Sequence, residues 1–249
     1  MSTIYIPPGI IEGPKYGTDA WKEARRGRVT ASRFGDVMSE PRSKAAKDAG
    51  LLSETASGYM MEIVASAITG EDRVGGKSAA MERGVDKESD ALDAYASTKF
   101  CTVETGRLLL RSEGLIAATP DGFIEEDEDG PGLLEVKCPE SRTHLRTWFS
   151  RQLPEEYIEQ VHGQMWVAGR EWCDFVSFDD RFPAPMRLVV IRVFRDEELI
   201  QAMSTKVGNF EALVAEKLAS VRQFLAEASP GEERAVQDAL GSLTFDAEG

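Results

Sequence analysis

At 249 residues the chain can bury a sizeable core as one domain with trimmings. Its apolar content of 42% is ordinary for such a domain. No apolar run is long enough to span a bilayer, and the start Met1-Ser2-Thr3-Ile4-Tyr5-Ile6 has neither a basic flank nor an apolar h-region, so the cytoplasm is the expected location. The formal charge of −14 argues against a polyanionic partner only if it is evenly spread, and it is not: residues 125–129 are all acidic, residues 226–249 hold six acids against one Arg, and residues 22–47 hold eight Lys or Arg against three acids.

Along the chain, a Pro- and Gly-rich extended stretch precedes expected helices near 19–26, 31–38, 53–69 and 78–98. Thr18 or Asp19 caps the first, Gly27 ends it, and Thr30 caps the second, which places Ser32 in a first helical turn. Free amides there favour an anion, and Arg25 adds a guanidinium, so a terminal phosphate fits. In the 78–98 helix, Met81, Val85, Leu92 and Tyr95 form an inward stripe on which Glu88 falls. A carboxylate on that face needs a metal, a cationic partner or a raised pKa.

Strands are expected near 102–110, 115–124 and 132–138, then a helix near 154–168 opened by Pro154, strands near 172–179 and 186–195, and a long helix from Asp196 to about 227. This is an α+β, α/β/α-like arrangement, a central mixed sheet flanked by helices. One domain covers 1–228, and Ser229-Pro230-Gly231 leads into a short helix or acidic tail over 229–249.

The chemistry concentrates in Thr119-Pro120-Asp121-Gly122 and Leu133-Leu134-Glu135-Val136-Lys137-Cys138-Pro139. Side chains alternate along a strand, so Glu135 and Lys137 share one face while Leu134, Val136 and Cys138 pack on the other. Pairing this strand with the one before Asp121 brings two carboxylates together, a hard oxygen site suited to Mg²⁺ or Mn²⁺ and to phosphate oxygens. Lys137 then orients or helps deprotonate a water and offsets charge on the phosphoryl group, the chemistry of phosphodiester hydrolysis. The same residues also suit a plain hairpin with an Asp-Gly turn, and Glu88 a structural salt bridge. Gln160 and Tyr157 share a face of the 154–168 helix.

Glu-Xaa-Lys after Pro-Asp-Gly resembles the PD-(D/E)XK nuclease superfamily with its restriction-endonuclease-like core. Asp19-Ala20-Trp21, Arg25, Val29-Thr30-Ala31-Ser32, Pro41-Arg42-Ser43, Gly84 to Glu88 and Tyr157-Ile158-Glu159-Gln160-Val161 resemble, in order, its phage lambda exonuclease branch, the YqaJ-like viral recombinases. The resemblance implies metal held by Asp121, Glu135, the Val136 carbonyl and Glu88, a catalytic Lys137, and Gln160 behind the site. It implies a 5′-phosphate pocket at Arg25, Ser32 and Thr119, where the family often has Ser for Thr119. Arg42 would reach the duplex minor groove, Met81 would split end base pairs, and Tyr157 would lie beside the DNA.

The implied activity is 5′-to-3′ degradation of one strand of double-stranded DNA, leaving 3′ overhangs for recombination, by a homotrimeric ring working with a single-strand annealing protein. A structure-specific endonuclease and an inactive DNA-binding scaffold are the alternatives. Arg111 stands where that branch has an acid, which argues against a fourth carboxylate. Cys101, Cys138 and Cys173 form no Cys-Xaa-Xaa-Cys pair and read as reduced thiols. His144 and His162 lack zinc-ligand spacing, and Gly76-Lys77-Ser78 lacks the opening glycine of a phosphate loop.

Overall fold

The computed structural model describes residues 4–71 and 79–228, with the side chains of 79–85 and 228 outside the description. Gly76-Lys77-Ser78, the 229–249 segment and the Met81 side chain therefore lie outside the described residues. In chain order the elements are β1 (Ile10–Lys15), α1 (Asp19–Arg25), β2 (Val29–Thr30), α2 (Phe34–Met38), α3 (Lys44–Asp48), α4 (Glu54–Thr69) and α5 (Ala79–Lys99). There follow β3 (Glu104–Thr105), β4 (Arg107–Arg111), β5 (Ile116–Ala118), β6 (Gly122–Ile124), β7 (Gly132–Lys137), α6 (Ser141–Ser150), α7 (Ile158–Ala168), β8 (Trp172–Phe178), β9 (Leu188–Phe194) and α8 (Glu197–Ala228).

The expected central sheet is two sheets. One runs β1-β4-β5-β2, with β2 parallel to β5 and the other pairs antiparallel; the other runs β3-β6-β7-β8-β9, with only β7 and β8 parallel. The expected strands 102–110 and 115–124 each break where the chain leaves one sheet for the other. Pro120 has no N–H to give to a ladder, so β5 ends before it and β6 starts after Asp121. Opposite it, Gly106 separates β3 from β4, and a Cβ at that position would lie 2.0 Å from the Pro120 carbonyl oxygen. No residue with a side chain fits that crossing.

Most expected helices form, with capping that follows the sequence: the Thr18 hydroxyl accepts from the Trp21 amide at 3.1 Å, Ser53 from Ala56 at 2.9 Å and Asp196 from Leu199 at 3.0 Å. The 31–38 helix is different. It opens as a 3₁₀ turn over Ala31–Arg33, and Thr30 makes no capping bond because its hydroxyl turns toward Arg25, Ser32 and Tyr59. The helix opened by Pro154 likewise starts as a 3₁₀ turn (Glu155–Tyr157) before α7. α3 and α6 were not expected. α6 lacks a side-chain cap and hides only two of its ten residues, His144 and Thr147, so its apolar signal is weak.

β7 is central, and apolar residues cover both its faces. Leu134 and Val136 pack with Ala91 and Tyr95 of α5, and Cys138 packs against that cluster, as alternation requires. Leu133 packs on the other side with Val161 and Met165 of α7. α7 comes close to the turn before α2 at Gly163, where a Cβ would stand 2.4 Å from the Phe34 ring. That close approach sets Gln160 and Gln164, on either side of Gly163, over the end of β7.

Candidate active site

Glu135 is 1% exposed, and every oxygen of its carboxylate is engaged. Lys137 Nζ and Gln160 Nε2 donate to Oε1, and Gln164 Nε2 donates to Oε2 at 2.7 Å. The Lys137 ammonium also lies over the Tyr157 ring, 5.2 Å from its centre, and Tyr157 in turn leans on Phe175. Expected Gln160 and Tyr157 thus both meet the Glu135–Lys137 pair. Gln164 was not singled out, although its spacing of four from Gln160 puts both amides on one face of α7.

Asp121 follows Pro120 at the crossing between the sheets. Its backbone amide donates to Leu134 O at 3.1 Å, and its carboxylate accepts from the Val136 amide at 2.7 Å. Antiparallel register places it there, since Gly122 pairs with Leu134. Burial pushes the Asp121 carboxyl well above the usual range. Glu135 and Glu88 push it further, while Lys137 and the Val136 amide oppose them. Glu88 is half-buried and is raised by burial and by Glu135. Burial works to lower Lys137, but Glu135 and Asp121 outweigh it and hold the group as an ammonium above the ordinary lysine range.

The three expected acids therefore share one electrostatic neighbourhood. Among the described residues, however, no three His, Cys, Asp or Glu side chains are disposed to hold one metal ion together. The helix carrying Glu88 packs on the face of β7 lined by Leu134 and Val136 while Glu135 meets α7, yet Glu88 is close enough to be raised by Glu135 and lowered by Lys137. The donor set still fits a divalent cation. The available ligands are hard oxygens, and the mutual repulsion that raises Asp121 and Glu88 is what a cation between carboxylates relieves.

A second cluster lies at the amino-terminal side. Arg25 Nη2 donates to Thr30 Oγ1 and to Ser32 Oγ, both at 3.3 Å, and the Arg25 guanidinium lies over Trp21, 5.3 Å from its centre. Trp21 Nε1 donates to Thr119 Oγ1 at 3.1 Å. Arg25, Ser32 and Thr119 thus gather around Trp21 and Thr30, though Ser32 sits in a 3₁₀ turn rather than the α-helical first turn expected. Tyr16, also not foreseen, packs edge-on against Trp21 with centroids 4.9 Å apart. Burial raises its hydroxyl; Glu88 and Asp121 raise it further, and Arg25 and Lys137 lower it, so it lies between the two clusters. Arg42 is exposed in the loop between α2 and α3, and none of the contacts among the described residues given above for the two clusters involves it. Arg111 packs its guanidinium on Trp166, 5.2 Å from the ring centre, which accounts for a cation at the end of β4.

The remaining motifs settle as structure. None of Cys101, Cys138 and Cys173 is joined in a disulfide among the described residues, and Cys173 is buried. His144 is fully buried between Ser177 and the Met186 carbonyl. The acidic 125–129 loop is bound to the fold by Arg170, which meets Glu125 at 2.6 Å, and by Arg192, which meets Asp127 and Asp129 at 2.8 Å each. No helix among the described residues is long and apolar enough to cross a membrane.

Residues 20–171 match the model of the YqaJ-like viral recombinase domain. The fold is similar to that of an alkaline exonuclease from Laribacter hongkongensis at 33% identity and a TM-score of 0.73, covering 85% of this chain and 100% of that one. A structure of that exonuclease in complex with dAMP matches at 32% identity and a TM-score of 0.72 over the same shares. A phage-related exonuclease from Haemophilus somnus 129PT has the same fold at 20% identity and a TM-score of 0.58, covering 78% of this chain and 96% of that one. No curated protein matches the chain.

Proposed function

The chain belongs to the YqaJ-like viral recombinase family, and on that premise we propose that it is a Mg²⁺-dependent exonuclease that shortens one strand of duplex DNA from a 5′-phosphorylated end. The observation that carries this reading is Thr119-Pro120-Asp121. One end of this tripeptide belongs to the cationic Arg25–Ser32 cluster and the other to the Glu135–Lys137 cluster. Two residues of extended chain span about 7 Å. An anion grip and a hydrolytic site at that separation suit neighbouring phosphates of one strand, with a mononucleotide as product. The relative from Laribacter hongkongensis forms a complex with dAMP, which is such a product.

In this reading Asp121, Glu135, the Val136 carbonyl and Glu88 hold the divalent ion, with Mn²⁺ a substitute for Mg²⁺. When bound, that ion would polarise the phosphoryl oxygens and acidify a water. The chain's own groups do the rest. Arg25 and the Ser32 and Thr119 hydroxyls seat the terminal phosphate, with bidentate geometry open to the guanidinium. Lys137, an ammonium beside two acids, offsets charge on the phosphoryl group and orients the attacking water or, once a cation draws off the charge of those acids, helps deprotonate it. Tyr157 and Gln160 hold the Lys137–Glu135 pair in place.

Release of 3′ overhangs, a homotrimeric ring, a single-strand annealing partner, a cytoplasmic setting, minor-groove contact by Arg42 and end-splitting by Met81 belong to the same proposal. Duplexes labelled at opposite ends, digested with and without Mg²⁺ beside covalently closed circles, test it. Mg²⁺-dependent loss of the 5′ label as mononucleotide, with circles intact, is expected. Nicked or linearised circles would instead assign a structure-specific endonuclease, and binding without cleavage an inactive scaffold.

A further inference from the structure

We infer that Gln164 is a positioning residue that holds the inner oxygen of Glu135, and so sets which way this carboxylate presents itself to a divalent metal; this rests on the nuclease reading above. Gln164 and Glu135 are each 1% exposed. The two Glu135 oxygens have different surroundings. Oε1 faces Lys137 and Gln160, which are both partly open to solvent, whereas Oε2 is held by Gln164 at 2.7 Å. The same Gln164 nitrogen lies 3.4 Å from the Thr119 carbonyl. One buried amide therefore ties the acid of β7 to the backbone beside the phosphate cluster.

The orientation of that amide is determined by chemistry. An ionised carboxylate only accepts hydrogen bonds, so the NH₂ group must face Glu135. The opposite end of the amide agrees with this, because Gln164 Oε1 is buried and meets no hydrogen-bond donor among the described residues. A buried acceptor without a partner is costly, and a Leu or Met would fill the volume without it. The amide is the better choice only where its donor is needed. A donor fixed on Oε2 leaves Oε1 as the oxygen that turns toward Lys137 and the incoming phosphate, and it opposes rotation of the carboxylate when a cation approaches. The Thr119 contact makes that orientation depend on the segment between β5 and β6 that also supplies Thr119 to the proposed phosphate grip.

The test compares the parent with Gln164→Met, which keeps the volume and removes the donor, Gln164→Asn, which keeps the amide one methylene short, and Glu135→Gln. Mn²⁺ binding is measured by electron paramagnetic resonance on the full chain without DNA, and kcat and KM are measured on 5′-phosphorylated duplex. Gln164→Met is expected to weaken Mn²⁺ binding and to lower kcat, each by about 10-fold or more, with KM for duplex ends within about 2-fold. Gln164→Asn should fall on the same side of the parent, and it decides the matter if the Met variant does not fold. Unchanged Mn²⁺ affinity and kcat in a folded Gln164 variant would overturn the positioning role. If Glu135→Gln binds Mn²⁺ as the parent does, the metal assignment itself fails, whatever Gln164 does.

Discussion

Asp121→Asn separates the stability of this site from its chemistry. The substitution conserves shape, and the amide oxygen still accepts from the Val136 amide at 2.7 Å. What disappears is a negative charge whose burial and whose repulsion from Glu135 and Glu88 oppose the folded state. Lys137 loses one of two acidic neighbours but keeps its bond to Glu135. Relief of strain of this kind at functional sites commonly contributes about 0.5–2 kcal/mol. For a chain of this size that raises Tm by roughly 1–8 °C. With Mg²⁺ at about 100 times its Kd, the parent gains about 2.7 kcal/mol by mass action and the variant much less. The two melting curves should therefore exchange order. The Asn variant melts higher in EDTA and lower in saturating Mg²⁺, while turnover falls by about 100-fold or more. Calorimetry in both buffers, with turnover on labelled duplex, reads all three quantities. A lower Tm for the variant in EDTA refutes the electrostatic argument, and an equal Mg²⁺ gain in both proteins refutes ligation by Asp121.

Lys137→Ala should lower kcat by on the order of 10²-fold while duplex binding, measured by fluorescence anisotropy, largely survives; parent-like rates would remove Lys137 from the chemistry. Arg25→Ala should selectively reduce the rate advantage of 5′-phosphoryl over 5′-hydroxyl ends, and an unchanged ratio of kcat/KM values would take Arg25 out of the phosphate pocket. Gly163→Ala forces a methyl group toward the Phe34 ring, for a loss of about 1–3 kcal/mol by urea denaturation and a coupled fall in turnover as Gln160 and Gln164 shift. Arg192→Met strips a fully buried Asp174 of its guanidinium, which now lies 2.9 Å away, and should destabilise the fold by about 3–5 kcal/mol with little change in kcat of the folded fraction. A stability within about 1 kcal/mol of the parent would show that Tyr95, whose hydroxyl donates to Asp174 at 2.7 Å, and Lys99, 3.8 Å away, suffice for it.

The site was more legible than the sheets. Glu135 and Lys137 are two apart on a strand, so their shared face follows from alternation, and Asp-Gly after an apolar run marks where a second strand meets it. Thr18 marked one helix start by its residue type, and the caps at Ser53 and Asp196 stand where the expected helices begin. The division into two sheets was harder to see, because a long apolar run reads as one strand. The interruption depends on a tertiary contact, the crossing of Gly106 with Pro120, and composition gives Gly106 no special standing. The 3₁₀ start at Ala31 escaped for a related reason. Thr30 is a good capping residue by type, yet its hydroxyl is drawn to Arg25 and Tyr59, which local sequence does not anticipate. Tyr16 and Gln164 were missed because a lone tyrosine in a Gly-rich stretch and a second glutamine on a helix become informative only once their neighbours are known.

The acidity of the chain takes on a different meaning once its charges are placed. The densest acidic run, residues 125–129, joins β6 to β7, the two strands whose register sets Asp121 beside the Val136 amide. Left unpaired, those acids would repel one another and pull the connection away from the sheet. Arg192 prevents this by meeting Asp127, Asp129 and Asp174 from β9 while stacking on Trp172 at 3.7 Å, and Arg170 fixes Glu125 from the start of β8. Three of the five acids are thus paired within the fold, in the connection that precedes β7. The Lys- and Arg-rich segment from α1 to α3 has fewer acids of its own and carries the Arg25–Ser32 cluster. Net charge is consequently a poor guide to charge placement in this chain: three acids of the negative run hold a strand pair in register, and the Arg25–Ser32 cluster, to which the proposal assigns the terminal phosphate, lies on another segment.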